Sequence, residues 1–292
     1  MEATMGKKVQ VQAPPQISIR TLLSRFKRRV YLTWLLVLLE GGAYLLIPLV
    51  IGRAIDGLLA KSYFGISSLA GLCCFMLVVG AARRLYDTRA YAKIFKTVST
   101  EMVAKEKGRD TPTSTISARA RLFHEFIDFL EHSIPEISHN FINLLGTLVI
   151  IATLNLKILA VCLTSGLFAI LIYLLSGPKI YQLNKGENDE LERQVTCLEK
   201  GTPRQLHDHF SKLMRWKIKL SDLETINFSG VWLGLSAVLV ASVILLGDSN
   251  GSGVGSAISV IMYVFGFIES TVVFPLYYQQ LVRLREISGR FE

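Results

Sequence analysis

Apolar residues gather in six runs, each close to the length a helix needs to cross a membrane. They fall at about 31–51, 65–82, 137–154, 158–175, 229–246 and 254–276. Hydrocarbon about 30 Å thick takes roughly 20 residues of α-helix. Within it every backbone N–H and C=O must find a partner inside the protein, which favours helices. The pattern therefore predicts an all-α membrane protein with six transmembrane helices. Asn140 and Asn143 interrupt the third run, but 144–153 is almost wholly apolar and keeps the span. These two asparagines read as hydrogen-bonding groups between helices.

Charge orients the six runs. The chain carries 32 Lys and Arg. If the chain alternates sides at every run, 29 of them fall on one side and 3 on the other. The basic side is cytoplasmic by the positive-inside rule, which puts both termini and two large basic links there. The formal charge of +9 is then explained by topology, and nucleic acid is not an expected partner.

The two long links carry their own pattern. From Ala81 to Lys107 and from Arg204 to Ser229 there is neither Gly nor Pro. Without these breakers the helices continue beyond the bilayer. If the second helix reaches Lys107, it projects as a stalk of roughly 35 Å at 1.5 Å per residue. A returning helix shows Leu122, Phe123, Phe126, Ile127, Leu130 and Ile134 on one face, after a turn at Gly108–Thr115. The second stalk turns at Gly201-Thr202-Pro203 and returns with Leu206, Phe210, Leu213 and Met214 on a face.

At the N-terminus, residues 1–16 contain Pro14 and Pro15 and read as a disordered tail. Residues 17–30 are amphipathic: Ile19, Leu22, Leu23, Phe26 and Val30 face one way, as in an elbow helix lying on the inner leaflet. The six-span domain then occupies 31–292. No cleavable signal peptide is expected, because the first apolar run is too long for one. Cys73, Cys74, Cys162 and Cys197 show no ligand spacing, so no metal site is expected.

Four stretches of the chain resemble the transmembrane domain of ABC transporters of the exporter type. LLIPLVIGRAIDGLL at Leu45–Leu59 is similar to the end of that family's first span. SARARLFHEFIDFLEHSIPEI at Ser117–Ile137 resembles its approach to the third. KLSDLETINF at Lys219–Phe228 resembles the approach to the fifth. YVFGFIESTVVFPLYYQQLVRLREISGRF at Tyr263–Phe291 resembles the sixth span and the helix below it. In order and spacing the likeness covers nearly everything after Ile17. It implies two long cytoplasmic helical stalks and a bacterial cytoplasmic (inner) membrane location. It also implies a permease working as a homodimer, or as a dimer with a similar chain.

The family's fused ATP-binding domain is not matched. No G-x-x-x-x-G-K-[ST] loop that could cradle phosphates occurs, and no ABC signature. The expectation is a transport subunit that is not itself an enzyme and holds no cofactor, with ATP acting through a separately encoded subunit. Proton-coupled transport on the same fold is the alternative, and a non-transporting interaction or regulatory module is a third reading.

The resemblance also assigns roles. In the family the stalk tips press on the ATPase, and the matching exposed residues are Lys105, Lys107, Arg109, Arg204 and His207. Solvated loop charges are the competing reading. Glu40 and Glu269 lie inside spans 1 and 6, where an ionised carboxylate normally faces protein or water. Glu40 sits roughly 14 Å and Glu269 roughly 10 Å from the inner edge. They line an acidic substrate cavity, or each is a protonated packing residue. Pro48, Gly266 and Pro275 are candidate helix bends or packing points. Arg53 and Asp56 read as an interfacial pair.

Overall fold

The computed structural model describes residues 24–108, 112–247 and 253–289, with side chains up to Tyr277 at the C-terminal end and a few stalk side chains excepted. The described residues contain no strand. The helices are α1 (Lys27–Leu59), α2 (Phe64–Lys107), α3 (Thr113–Asp128), α4 (Ile134–Leu154), α5 (Leu156–Glu192), α6 (Gln194–Lys200), α7 (Pro203–Gly247) and α8 (Val254–Gly289). A π-helical turn, Phe129–Ser133, joins α3 to α4. Among the described residues six helices are long and apolar enough to cross a membrane, and each contains one of the six apolar runs. This is an integral membrane protein.

Each boundary has a local cause. Residues 27–30, expected in the elbow, belong to α1 instead. Nothing between Phe26 and Tyr31 breaks a helix, and Val30 N–H donates to the Phe26 carbonyl at 3.2 Å. The tail and the first part of the elbow, residues 1–23, lie outside the described residues. α1 stops at a turn in which Lys61 takes φ 59°. Asn155 separates α4 from α5, and its side chain accepts from the backbone N–H groups of Lys157 and Ile158. α7 starts with a capping box. Thr202 N–H donates to Gln205 Oε1 at 2.8 Å, and Gln205 N–H donates to Thr202 Oγ1 at 3.4 Å. Pro203 occupies the first helical position, where a missing N–H costs nothing.

The π-helical turn alters the expected face of the returning helix. Pro135 lacks the N–H that the Glu131 carbonyl would accept in a regular α-helix, and a wider turn accommodates the proline ring. Phe129, the first residue of the turn, joins the buried set, while Leu130 is only partly covered.

The chain divides into two compact units. One comprises Met1–Tyr44, Gly71–Ile142 and Phe274–Glu292, the other Leu45–Ala70 and Asn143–Val273. In the first, Tyr91, Ile94 and Val98 of α2 pack with Phe123, Phe126 and Ile127, and Phe26 closes the cluster. Arg25 donates both terminal nitrogens to the Glu101 carboxylate, at 2.6 and 2.7 Å. The pair is exposed, so its worth to stability is small.

In the second unit the core joins Ile151, Ile158, Cys162, Leu235, Val238, Val264 and their neighbours. The last part of α1 packs against α8 at very close range. Tyr263 Oη donates to the Leu45 carbonyl at 2.6 Å and Ser259 Oγ to the Pro48 carbonyl at 2.7 Å. Gly52 and Gly255 lie where any Cβ would overlap the facing helix. Asp56 does not pair with Arg53. Its carboxylate accepts from Gly255 N–H at 2.8 Å and caps α8, and Arg53 is exposed.

Close glycine packing carries this contact, so position matters within α1. Gly52→Val should destabilise by about 2 kcal/mol, the usual cost of overpacking a tight contact. Gly42→Ala meets nothing within 4 Å and should be neutral or stabilising by up to about 1 kcal/mol. Thermal unfolding of the purified protein in detergent separates the two, and equal midpoints would contradict this packing.

Candidate functional site

Glu40 does not stand alone. α1 carries it to within ion-pair distance of Arg83 on α2, whose Nε faces Glu40 Oε2. The opposite end of the same guanidinium reaches Asp87, one turn further along α2, with Nη1 to Oδ2 at 3.4 Å. Gly80 makes room for the carboxylate: a Cβ there would come within 3.2 Å of Glu40 Oε1. His139 of α4 lies beside the pair and packs edge-on against Tyr44, with ring centroids 5.1 Å apart. Gly41 allows that approach, since a Cβ on it would meet Ile142 at 3.4 Å and His139 at 3.6 Å. Thr33 and Glu131 face Asp87. The first unit thus holds a charged cluster whose members come from α1, α2, the π-helical turn and α4.

In the sequence Arg83 counts as one of a basic flank, and Asp87 stands among stalk charges. Burial of Asp87 to 3% exposure depends on the tertiary meeting of α1, α2 and the π-helical turn. A faint signal existed: Arg83 and Asp87 are spaced i, i+4, the separation at which side chains meet on a helix.

Glu269 belongs to the second unit. It is exposed on α8, while its neighbours Ile268 and Ser270 are buried. Glu269 makes no hydrogen bond or ion pair among the described residues. Behind it, Asn143 Nδ2 donates to Ser270 Oγ at 3.0 Å, which realises the expected bonding between helices. Gly266 lies beside this pair, where an added Cβ would make ordinary contact with Asn143 and Thr147 at 3.6 Å. Pro48 lies in the α1–α8 contact described above, and Pro275 lies inside α8.

Lys105 and Lys107 are exposed in the last turn of α2. Positive charge at a helix C-terminus is favourable by itself. Arg204 and His207 are exposed at the start of α7, and Arg109 lies outside the described residues. The second stalk has an internal clamp that the sequence did not reveal. His209 Nδ1 lies 2.8 Å from Glu190 Oε1, both buried, tying α7 to α5. One turn along, Gly186 lies against the Trp216 indole.

The expected apolar face on α7 is only half used. Leu213 is buried and Leu206 half-buried, but Phe210 and Met214 are exposed, as is Ile218 one turn beyond them. On the outgoing arm Leu191, Val195 and Leu198 are exposed as well.

The family model described as ABC transporter transmembrane region matches residues 19–255. A comparison with curated proteins returns no match to the chain.

The shared guanidinium sets an order of damage. Arg83→Met leaves Glu40 and Asp87 without a cation and should cost about 3 kcal/mol. Glu40→Gln should cost less than half of that, because Asp87 still holds Arg83. The double variant should be milder than the sum of the singles. Thermal unfolding in detergent reads all three, and strict additivity would show that the groups do not interact.

Proposed function

The chain belongs to the family of ABC transporter transmembrane regions, and on that premise we propose that two copies form a substrate pathway driven by separately encoded ATPase subunits. The observation that carries the dimeric pathway is Glu269. A carboxylate on a membrane-spanning helix that its own chain leaves exposed needs water or a partner protein against it. A pathway between two copies supplies both. Two such carboxylates facing one pathway favour cationic cargo.

The second stalk supports the same reading. Phe210, Met214 and Ile218 lie beyond the apolar run of α7, so lipid does not cover them there. A patch of this kind marks a protein contact. The basic side faces the cytoplasm of a bacterial inner membrane, with both termini there. On that side Lys105, Lys107, Arg204 and His207 sit at or beside the stalk tips, where they would meet the ATPase. Proton-coupled transport on the same fold is the second reading, and buried Asp87 favours it.

The experiment is co-purification from the native membrane followed by ATP turnover. A nucleotide-binding subunit should accompany the protein. Charge reversal at Lys105 and Arg204 together should lower coupled turnover by about tenfold, equivalent to about 1.4 kcal/mol of interface energy. Glu269→Gln should reduce transport of a cationic substrate without changing the yield of folded protein. Transport that survives ATP depletion and collapses with a protonophore would reject the ATPase and select the second reading.

A further inference from the structure

Asp87 has no task in the ATP-driven reading, yet its position is unusual for a carboxylate. It is 3% exposed, and Thr33 beside it is equally buried. The Thr33 hydroxyl faces the Asp87 carboxylate and can donate to it, though Asp87 Oδ1 and Thr33 Oγ1 are not in close hydrogen-bond geometry. The groups facing Asp87 are Thr33 from α1, Arg83 and Tyr91 from α2, and Glu131 from the π-helical turn. Glu40 of α1 and His139 of α4 face Arg83.

Charge does not balance in this cluster. Two carboxylates, Glu40 and Asp87, share the Arg83 guanidinium, and a third, Glu131, faces Asp87. Excess negative charge away from water is costly unless a cation or a proton joins it. No group of three His, Cys, Asp or Glu among the described residues is placed to hold a metal ion. A proton needs no cavity. Bound at Oδ1 it removes the excess charge. The Thr33 hydroxyl can then switch from donor to acceptor of the new O–H.

We propose that Asp87, with Glu40 and Arg83, forms a proton-binding site. Water reaches it past Glu40 and Arg83, whose side chains are 20% exposed. A hydronium O–H bond breaks, an Oδ1–H bond forms, and water leaves. Arg83 is then released from Asp87 and pairs fully with Glu40, which tightens α1 against α2. Loss of the proton draws Arg83 back towards Asp87 and loosens that contact. The site bears on the proton-coupled reading, but its test reads proton binding directly and requires neither nucleotide nor transport.

The test is infrared spectroscopy of the purified full chain in lipid nanodiscs, titrated from acid to alkali. The wild type should show the C=O stretch of a protonated carboxylic acid that disappears on titration. Asp87→Asn should lose this band, and Glu269→Gln should keep it. Glu131→Gln removes a repelling charge from Asp87, so the band should persist with its midpoint moved to the acid side by roughly half a unit. No titrating carboxyl band in the wild type would overturn the proposal. So would its survival in Asp87→Asn, or its loss in Glu269→Gln. If Asp87→Asn fails to fold, Glu131→Gln decides, and an unmoved midpoint counts against the site.

Discussion

Lipid cannot hydrogen-bond a peptide group, and most of this molecule follows from that constraint. Each span must satisfy its own backbone, so the six apolar runs become helices. The same constraint governs the exceptions. Where Pro135 removes a donor, the chain widens into a π-helical turn. Beside Pro48, two carbonyls take hydroxyl donors from α8. Asp56 reaches across to cap the start of α8, whose first N–H groups have no helical acceptor. Polar side chains in the spans thus serve largely to complete a neighbour's hydrogen bonds.

Charge obeys the same rule less completely, and functional readings arise where it falls short. Glu40 meets Arg83, so an acidic residue deep in the first span is neutralised within its own unit. Asp87 is only partly served by that cation, and Glu269 receives no partner from the described residues. These two carboxylates mark different needs: one is buried and short of a proton or donor, the other open and short of a facing surface. In the stalks, outside the lipid, the bond between Glu190 and His209 and the packing of Trp216 on Gly186 hold one hairpin together. The apolar residues left outside that hairpin are suited to a second subunit.

The spans were legible because their signal is one-dimensional. Apolar length and the placement of Lys and Arg need no tertiary information, and the turn at Gly201-Thr202-Pro203 announced itself through its Gly and Pro. The stalks were legible from the absence of Gly and Pro. What escaped depended on helices meeting. Arg83 and Asp87 look like ordinary basic-flank and stalk residues until α1 packs on α2. Phe129, which the expected face did not include, is buried at the start of the π-helical turn. Arg53 and Asp56 suggested a local pair, since sequence cannot show that a helix 199 residues away starts beside Asp56. Glu269 was visible as an anomaly, but which side of α8 it occupies was not.

Topology is the claim on which every other reading stands, and cysteine accessibility in intact cells tests it most directly. In a background with the four native cysteines replaced, single cysteines would be placed at Ser62, Lys105 and Thr202. A membrane-impermeant maleimide should label Ser62→Cys from outside. Lys105→Cys and Thr202→Cys should react only after the cells are permeabilised. Labelling of either stalk-tip cysteine in intact cells, with Ser62→Cys protected, would contradict the six-span arrangement and the transport reading built on it.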